Sequence, residues 1–348
     1  MKKLITIITL ILFCSSAAFA DSDKALYQTK VPVSSQSVEE RNTAVQQAFQ
    51  QVLIRVSGNS QILNNPKIKI PSSDVNALVQ EFGYSKSAVA ANGSGFEMMV
   101  QFDPEGINQL LQKADVAIWG AERPMLLVWA EWEVPNQPAE IIDSGSSNHI
   151  QTFLKNAAVQ RGLPIIFPMM DIDDLNQVSV NDIATMAVPV LQNAAKRYNS
   201  NGLLILRAFQ LVNASHVEAR LVLGNDQWNW TLLNPSLDEN LKALVTNVSD
   251  VLAQRYSTVV TPNVQAQATI KVVGINRHGD LAQVINYLKR LTPVADVDPT
   301  EVTGAEVVLS LSLRGSQNSL IQAISAENKL ISEPGTDTDK KLIYRWNP

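Results

Sequence analysis

The sequence predicts a multi-domain protein of mixed α+β and α/β class, built from three small sandwich modules. Its 348 residues exceed what one hydrophobic core usually organises. Polar stretches rich in Pro, Ser, Gly and Asn occur at residues 133–148 and 257–267, and both are typical of linkers. Strand-like and helix-like patterns alternate between them. We therefore expect domains at residues 21–135, 148–258 and 266–348.

The first 20 residues have the pattern of a cleaved signal peptide. A basic start and an apolar run at residues 4–13 precede Ala18-Phe19-Ala20, the small-x-small motif that signal peptidase reads. Ten apolar residues are too few for a membrane-spanning helix, which needs about 20. Phe13 precedes Cys14, where a lipoprotein signal has a small residue. We therefore expect cleavage after Ala20 rather than a lipid anchor on Cys14.

The mature chain is expected to be free of cysteine, because Cys14 is the only one in the sequence. Disulfides, thiolate metal sites and cysteine catalysis are then excluded. The net charge of −5 becomes −7 when Lys2 and Lys3 leave with the signal peptide. An acidic chain with scattered basic residues offers no surface for phosphate backbones, so we expect no nucleic-acid partner. No later apolar stretch is long enough to span a membrane.

The first segment reads as α+β. Ser37 and Glu40 match a capping box, and the apolar spacing that follows predicts a helix that ends near Gly58. Asp103-Pro104 is a typical helix start. The expected strands are the extended run 25–33, FEMMVQF (96–102), VAIWG (116–120) and MLLVWAEWEV (125–134).

The second segment alternates more regularly, in the order expected of a small α/β sandwich. The expected helices are 149–161, a long helix at 181–198, and 237–256. The expected strands are LPIIF (163–167), GLLILRAF (202–209), and the hairpin of 216–223 with 227–233, joined at Gly224-Asn225-Asp226.

The third segment has the β-α-β-β-α-β order of a ferredoxin-like module. Alternating Val307, Leu309, Leu311 and Leu313 predict a half-buried strand. The other expected elements are the strand 268–275, the helix 279–291, the helix 316–327 and a final strand, KLIYRW (341–346).

One pair of carboxylates could support hydrolysis. Glu131 and Glu133 share a strand face and lie about 7 Å apart along it. Inverting glycosidases use carboxylates roughly 6.5–9.5 Å apart, and Trp129 could stack on a sugar. The alternative is a strand end whose glutamates are simply solvated, which is common on surfaces. We favour that alternative, because the sequence contains no hydrolase, metalloprotease or nucleotide-binding motif.

A second acidic group, Asp171, Asp173 and Asp174, could coordinate a hard cation. The spacing lacks the glycine turn and distal Glu of a calcium loop, so a polar loop is the preferred interpretation. Trp228 and Trp230 share a strand face and could stack on glycan, but packing in the core explains them more simply. We therefore expect no metal, no cofactor and no catalytic residue.

Three blocks of the chain resemble a family of secreted Gram-negative proteins, domain of unknown function 2066. They are VLIRVSGN (52–59), the stretch 102–129, and the stretches 163–183 and 194–207. The resemblance implies a periplasmic protein and brings no activity with it. This chain has Asn199 where the family pattern has glycine, and Asn also tolerates a left-handed backbone.

The second segment is also similar in architecture to envelope accessory proteins. These are the amino-terminal domain of the Tol translocation protein, the curli secretion lipoprotein and the penicillin-binding-protein activators. That likeness implies protein binding rather than catalysis. We therefore expect a periplasmic, non-enzymatic binding or scaffold protein that contacts an envelope protein or the cell wall. An envelope glycan hydrolase using Glu131 and Glu133 is the alternative.

Overall fold

The computed structural model describes residues 21–86, 95–261, 263, 266–333 and 342–348. The predicted signal peptide, with Cys14 and the cleavage position Ala20, lies outside the described residues. The architecture is the predicted mixed α/β class, with helices packed on three sheets. Contacts divide the chain into two units: residues 1–56 with 63–114, and residues 57–62 with 115–348.

The first unit packs helices against an antiparallel sheet of order β1-β3-β2. Its elements in chain order are α1 (Asp21–Leu26), β1 (Gln28–Val33), α2 (Val38–Ser57), the 3-10 turns Ile62–Asn64 and Pro66–Ile68, α3 (Ser72–Ala77), β2 (Val79–Lys86), β3 (Phe96–Phe102) and α4 (Pro104–Lys113). The apolar stripe predicted for α2 is buried, including Val45, Phe49 and Val52. The side chain of Asp103 caps α4 as predicted.

Three details of this unit differ from the sequence prediction. The run expected to be extended from residue 25 begins in helix α1, so its strand starts at Gln28. Only half of the capping box forms: Ser37 Oγ accepts from the Glu40 N–H at 3.3 Å, whereas the Glu40 carboxylate accepts from Ser34 and Ser35. Strand β2 was not predicted, because its exposed and half-buried residues do not alternate.

The second unit contains two sheets, of which the larger has the order β5-β4-β7-β8-β9, with β6 beside β4. We call it the central sheet. Its strands are β4 (Leu126–Glu133), β5 (Glu140–Ile142), β6 (Ile165–Ile166), β7 (Gly202–Gln210), β8 (Ser215–Leu223) and β9 (Asp226–Asn234). Its helices are α5 (His149–Arg161), α6 (Ile172–Leu175), α7 (Val180–Ala184), α8 (Val188–Ala195) followed by the 3-10 turn Lys196–Tyr198, and α9 (Leu237–Tyr256).

Strands β4 and β7 pair in parallel and are buried on both faces. Leu126 and Leu204 belong to the core formed with α5 and α9. Leu127 and Trp129 belong to a second core, formed with α7 and α8 on the opposite face. Double-sided burial explains why these strands are continuous apolar runs rather than alternating ones.

Four local predictions for this region differ from the structure. The helix expected at 181–198 is broken, because Met186 has φ 50° and Pro189 can only stand in the first turn of a new helix. VAIWG forms only an isolated bridge between Ile118 and Thr258. LPIIF contributes just the two residues of β6. The polar stretch 133–148 contains β5, which pairs with β4, and β4 itself lies in the central sheet rather than with the first unit.

The third sheet has the order β11-β12-β10-β14-β13. Its elements are β10 (Ala266–Val273), α10 (Asp280–Arg290), β11 (Val294–Thr303), β12 (Glu306–Leu313), α11 (Gln317–Ser325), β13 (Leu330–Ser332) and β14 (Leu342–Trp346). The alternation predicted for β12 is confirmed, since Val307, Leu309, Leu311 and Leu313 are all buried. The module has one strand more than predicted: β14 pairs in parallel with β10, and the short β13 pairs with β14.

Among the described residues, no helix has both the length and the apolar character that crossing a membrane requires.

Candidate functional site

The Glu131 and Glu133 pair lies at the end of β4, where both side chains meet Arg207 of β7. Glu131 Oε1 is 2.9 Å from Arg207 Nε, and Glu133 Oε2 is 3.3 Å from Arg207 Nη2. The register explains the meeting, because Glu131 lies opposite Arg207 in the parallel pair. The two carboxylates share one face as predicted, and the structure adds a cation, Arg207, that contacts both.

The two glutamates differ sharply in their surroundings. Glu131 is buried, whereas the side chain of Glu133 is 46% exposed. Burial raises the pKa of Glu131, and the positive charge of Arg207 opposes that effect. Within the described residues, both Glu131 oxygens and Arg207 Nε lack an aligned hydrogen bond. Glu131 is therefore held by charge contact alone, which is a costly arrangement for a buried carboxylate.

The strand neighbours extend this pair into a row of charged and aromatic side chains. Glu218 of β8 lies opposite Arg207, with Oε2 3.9 Å from Nη1. The next pair on the same face, Phe209 and His216, packs edge to face with ring centroids 4.5 Å apart. An arginine placed between three carboxylates orders an ion network on the sheet face.

Trp129 cannot serve the sugar-stacking role suggested for it. Its side chain is completely buried against α7 and α8. Sequence reasoning also missed Arg207, although a single arginine in the apolar strand GLLILRAF was a visible signal.

The aspartates of the proposed cation site contact Arg197 instead. Arg197 binds Asp171 through two hydrogen bonds of 2.6 Å, from Nη1 to Oδ1 and from Nη2 to Oδ2. Its Nη1 also lies 3.2 Å from Asp174 and 3.8 Å from Asp173. The Arg197 hydrogen bonds lower the pKa of Asp171 to about 2. A guanidinium therefore occupies the oxygens that a cation would need.

Asp174 is the structural centre of this group. It is fully buried, accepts a 3.0 Å hydrogen bond from the Met170 N–H, and accepts another from the Tyr198 hydroxyl. Burial and the bond to Asp174 raise the pKa of Tyr198 to about 12, so the hydroxyl remains a donor at neutral pH. In the part of the chain that the structure describes, no group of three or more His, Cys, Asp or Glu is placed to hold a metal ion.

The free side of β9 is a third feature of this unit. β9 is the last strand in the order of the central sheet and pairs with β8 through nine residues without a register shift. Trp228 and Trp230 pack on the core formed with α5 and α9, but both remain partly exposed. On the other face, Leu233 is 66% exposed. The two tryptophans therefore pack on the core and also leave part of each side chain exposed to solvent.

Natural edge strands are usually protected by proline, by basic residues, by bulges or by short length. The other edges of the second unit follow this rule: β5 and β13 have three residues each, and β11 carries Pro299 and two register shifts. β9 has neither proline nor a basic residue, and its only charge is Asp226 at its first position. It is the least protected of these four edges.

Comparison with known proteins gives one partial match. Residues 20–120 match the model of a domain of unknown function, DUF8605. The chain is therefore similar to that domain over the part that contains the first unit. The resemblance to domain of unknown function 2066 is wrong, because the family model that matches is a different one. Searches of curated proteins and of solved structures find no similar protein.

Proposed function

We propose that this chain is a non-enzymatic binding or scaffold protein of the periplasm, which binds an extended segment of another envelope protein. The observation that carries the proposal is the open edge of β9. A strand added there gains a row of backbone hydrogen bonds, and specificity comes from side chains that contact the partner. The signal sequence expected at residues 1–20 supports the compartment.

The backbone geometry of the hairpin identifies which groups the partner meets. Leu223 and Asp226 close a two-residue turn, so they and every second residue beyond bond across the hairpin. The N–H and C=O groups of Asn229 and Thr231 then point to the free side of β9. The exposed parts of Trp228 and Trp230 lie beside this row and add apolar contact.

The test is a proline substitution on the open edge. Thr231→Pro removes an N–H that faces away from β8, so the hairpin bonds remain and the added strand loses a donor. Thr231→Val is the matched control, since it keeps the N–H and the β-branched shape. The mature protein, tagged at its C-terminus, is crosslinked in intact periplasm, and captured proteins are identified by mass spectrometry. We expect one reproducible envelope protein with the wild type and with Thr231→Val, and its loss with Thr231→Pro.

Incubation with purified cell wall separates this proposal from the hydrolase alternative. The buried Glu131, with its raised pKa, is the observation that favours an acid catalyst. The Arg207 contacts to both glutamates argue against it, because they occupy the space for water and substrate. Released wall fragments that disappear in the Glu131→Gln, Glu133→Gln double variant would overturn the scaffold proposal. Equal capture by Thr231→Pro and wild type would overturn the β9 assignment.

A further inference from the structure

A second exposed surface lies at the opposite edge of the central sheet from β9. It consists of Met169, Ile172 and Leu175, which are 55%, 76% and 62% exposed, and we call it the apolar ridge. The ridge follows β6, which pairs with β4 at the side of the sheet away from β7. Three large apolar side chains within seven residues, all facing solvent, are unusual for a surface without a partner.

The backbone of the ridge is held firmly. The Met169 N–H donates to the Tyr198 hydroxyl at 2.8 Å, and the Met170 N–H donates to Asp174. Asp171 caps α6 and is bound by Arg197. Asp171 and Asp174 thus fix the backbone of the loop that carries the ridge.

Met170 shows that this anchoring has a cost. Its φ is 51°, in the left-handed region that non-glycine residues avoid. Backbone strain of this kind concentrates at functional surfaces. The charge-assisted network keeps this conformation, and the same conformation exposes Met169 and Ile172 on either side.

Carboxylates border the ridge. Glu140 and Asp143 line a shallow depression together with Met169, and the Asp173 side chain on α6 is 75% exposed. Within the described residues, neither Glu140 nor Asp143 forms an ion pair with a cation. Arg197, which lies nearby, is already bound to Asp171 at 2.6 Å. The border of the ridge is therefore acidic: Arg197 lies 3.8 Å from Asp173, whereas Glu140 and Asp143 are left without a cation among the described residues.

We infer that the apolar ridge docks a cationic amphipathic segment of a partner protein, whose apolar face covers Met169, Ile172 and Leu175 and whose basic residues meet Glu140, Asp143 and Asp173. Charge complementarity selects this occupant. An anionic lipid surface has apolar depth but would be repelled by the same carboxylates. The surface is separate from the open edge of β9, so the inference stands independently of the proposed function.

The test measures binding of synthetic peptides to the full mature chain. The probe is a fluorescein-labelled, 18-residue amphipathic peptide of leucine and lysine, and a leucine–glutamate peptide of the same pattern is its control. Fluorescence anisotropy should show binding of the lysine peptide only. The Ile172→Ser, Leu175→Ser double variant should weaken binding at least tenfold, whereas Val159→Ser, at a 69% exposed position on α5, should leave it unchanged. Because all these positions are exposed, circular dichroism should show unchanged folding.

A second pair of variants tests the acidic border. Glu140→Gln with Asp143→Asn should weaken binding severalfold and reduce its dependence on salt. The inference is overturned if the lysine peptide does not bind, if both peptides bind equally, or if the double serine variant binds like wild type. Binding to vesicles that contain phosphatidylglycerol, lost in the double serine variant, would overturn it in favour of a lipid surface.

Discussion

Glu122 shows how a single buried carboxyl can set the pH dependence of stability. It is 2% exposed, and its Oε1 accepts a 2.8 Å hydrogen bond from the Thr292 N–H. Within the described residues, Oε2 has no hydrogen-bond partner. Burial therefore raises the pKa of Glu122 above its ordinary value of 4.5.

The raised pKa gives a prediction with a definite sign. Above pH 4.5 the unfolded chain releases the Glu122 proton, while the folded protein still holds it. The folded state then binds more protons, so the free energy of unfolding falls as the pH rises toward the folded pKa. Glu122→Gln cannot ionise and should remove this decline, which denaturant unfolding between pH 4 and 8 will measure. Glu81→Gln, at an exposed position, is the control, and equal pH slopes for Glu122→Gln and wild type would contradict the prediction.

At single positions, the identity of a residue can indicate its backbone conformation but does not always indicate its role. Asn199 has φ 50° and ψ 32°, a left-handed conformation, which asparagine tolerates. The three aspartates at 171, 173 and 174 have the composition of a cation site but serve as partners of Arg197 and as the cap of α6. Composition alone does not distinguish these roles, because both place several carboxylates in a short loop.

At the scale of elements, β12 is a strand whose pattern and packing agree. Its odd-numbered residues from Val307 to Leu313 are buried in the core of the third sheet, between β10 and β11. Each of these side chains should therefore contribute its full burial energy.

Strand β12 gives a paired prediction. Leu309 is fully buried, so Leu309→Ala should lower the free energy of unfolding by about 2–5 kcal/mol through lost burial and a residual cavity. Ser310 lies on the other face and is half-buried, so Ser310→Ala should change stability by less than about 1 kcal/mol. Urea denaturation followed by circular dichroism compares the two. A similar loss for both would show that the face assignment is wrong.

Helix α9 and the region 181–198 show why only some helices were predicted with correct ends. Helix α9 begins at the Ser236 cap and ends at Tyr256, as its pattern indicates. In residues 181–198 the apolar spacing continues across the interruption between α7 and α8. The hydrophobic periodicity therefore gave no indication that two helices are present. Pro189 was the local sequence signal of this interruption, because proline inside a helix removes a hydrogen bond and clashes with the preceding turn.

At the scale of the whole molecule, the central sheet brings together parts of the chain that the linker pattern separates. Strand β4 precedes the polar stretch 133–148 and pairs with β5, β6 and β7 that follow it. Residues 57–62 also belong to this unit: Arg161 donates to the Gly58 carbonyl at 2.8 Å, and Asp250 accepts from Ser60.

This arrangement predicts the outcome of truncation. A fragment of residues 136–348 lacks β4 and exposes the edge of β7, so the central sheet should not form and only the third sheet, which has its own core, should unfold cooperatively. A fragment of residues 115–348 keeps every strand of both sheets and should unfold cooperatively, at lower stability than the full mature chain, because Arg161 and Asp250 lose Gly58 and Ser60. Thermal unfolding by circular dichroism tests both. Equal stability of the two fragments would contradict the assignment of β4 to this unit.

The elements predicted correctly have complete signals within a short stretch of chain. Helices α5 and α9 carry their caps and their apolar faces in adjacent residues, and β12 alternates over eight residues. Local backbone preference and solvent exclusion act on such stretches directly, so the sequence alone determines these elements and the mixed α/β class.

Only the tertiary structure decided what the acidic candidates do and which edge stays open. Arg207 reaches Glu133 across 74 positions of sequence, and Arg197 reaches Asp171 across 26. These contacts depend on the parallel register of β4 with β7 and on the packing of the loop before α6 against Tyr198. Among the residues that the structure describes, the same sheet order gives β9 no strand partner besides β8. Strand register and sheet order are set by the free energy of the whole fold, and no short stretch of the chain encodes them.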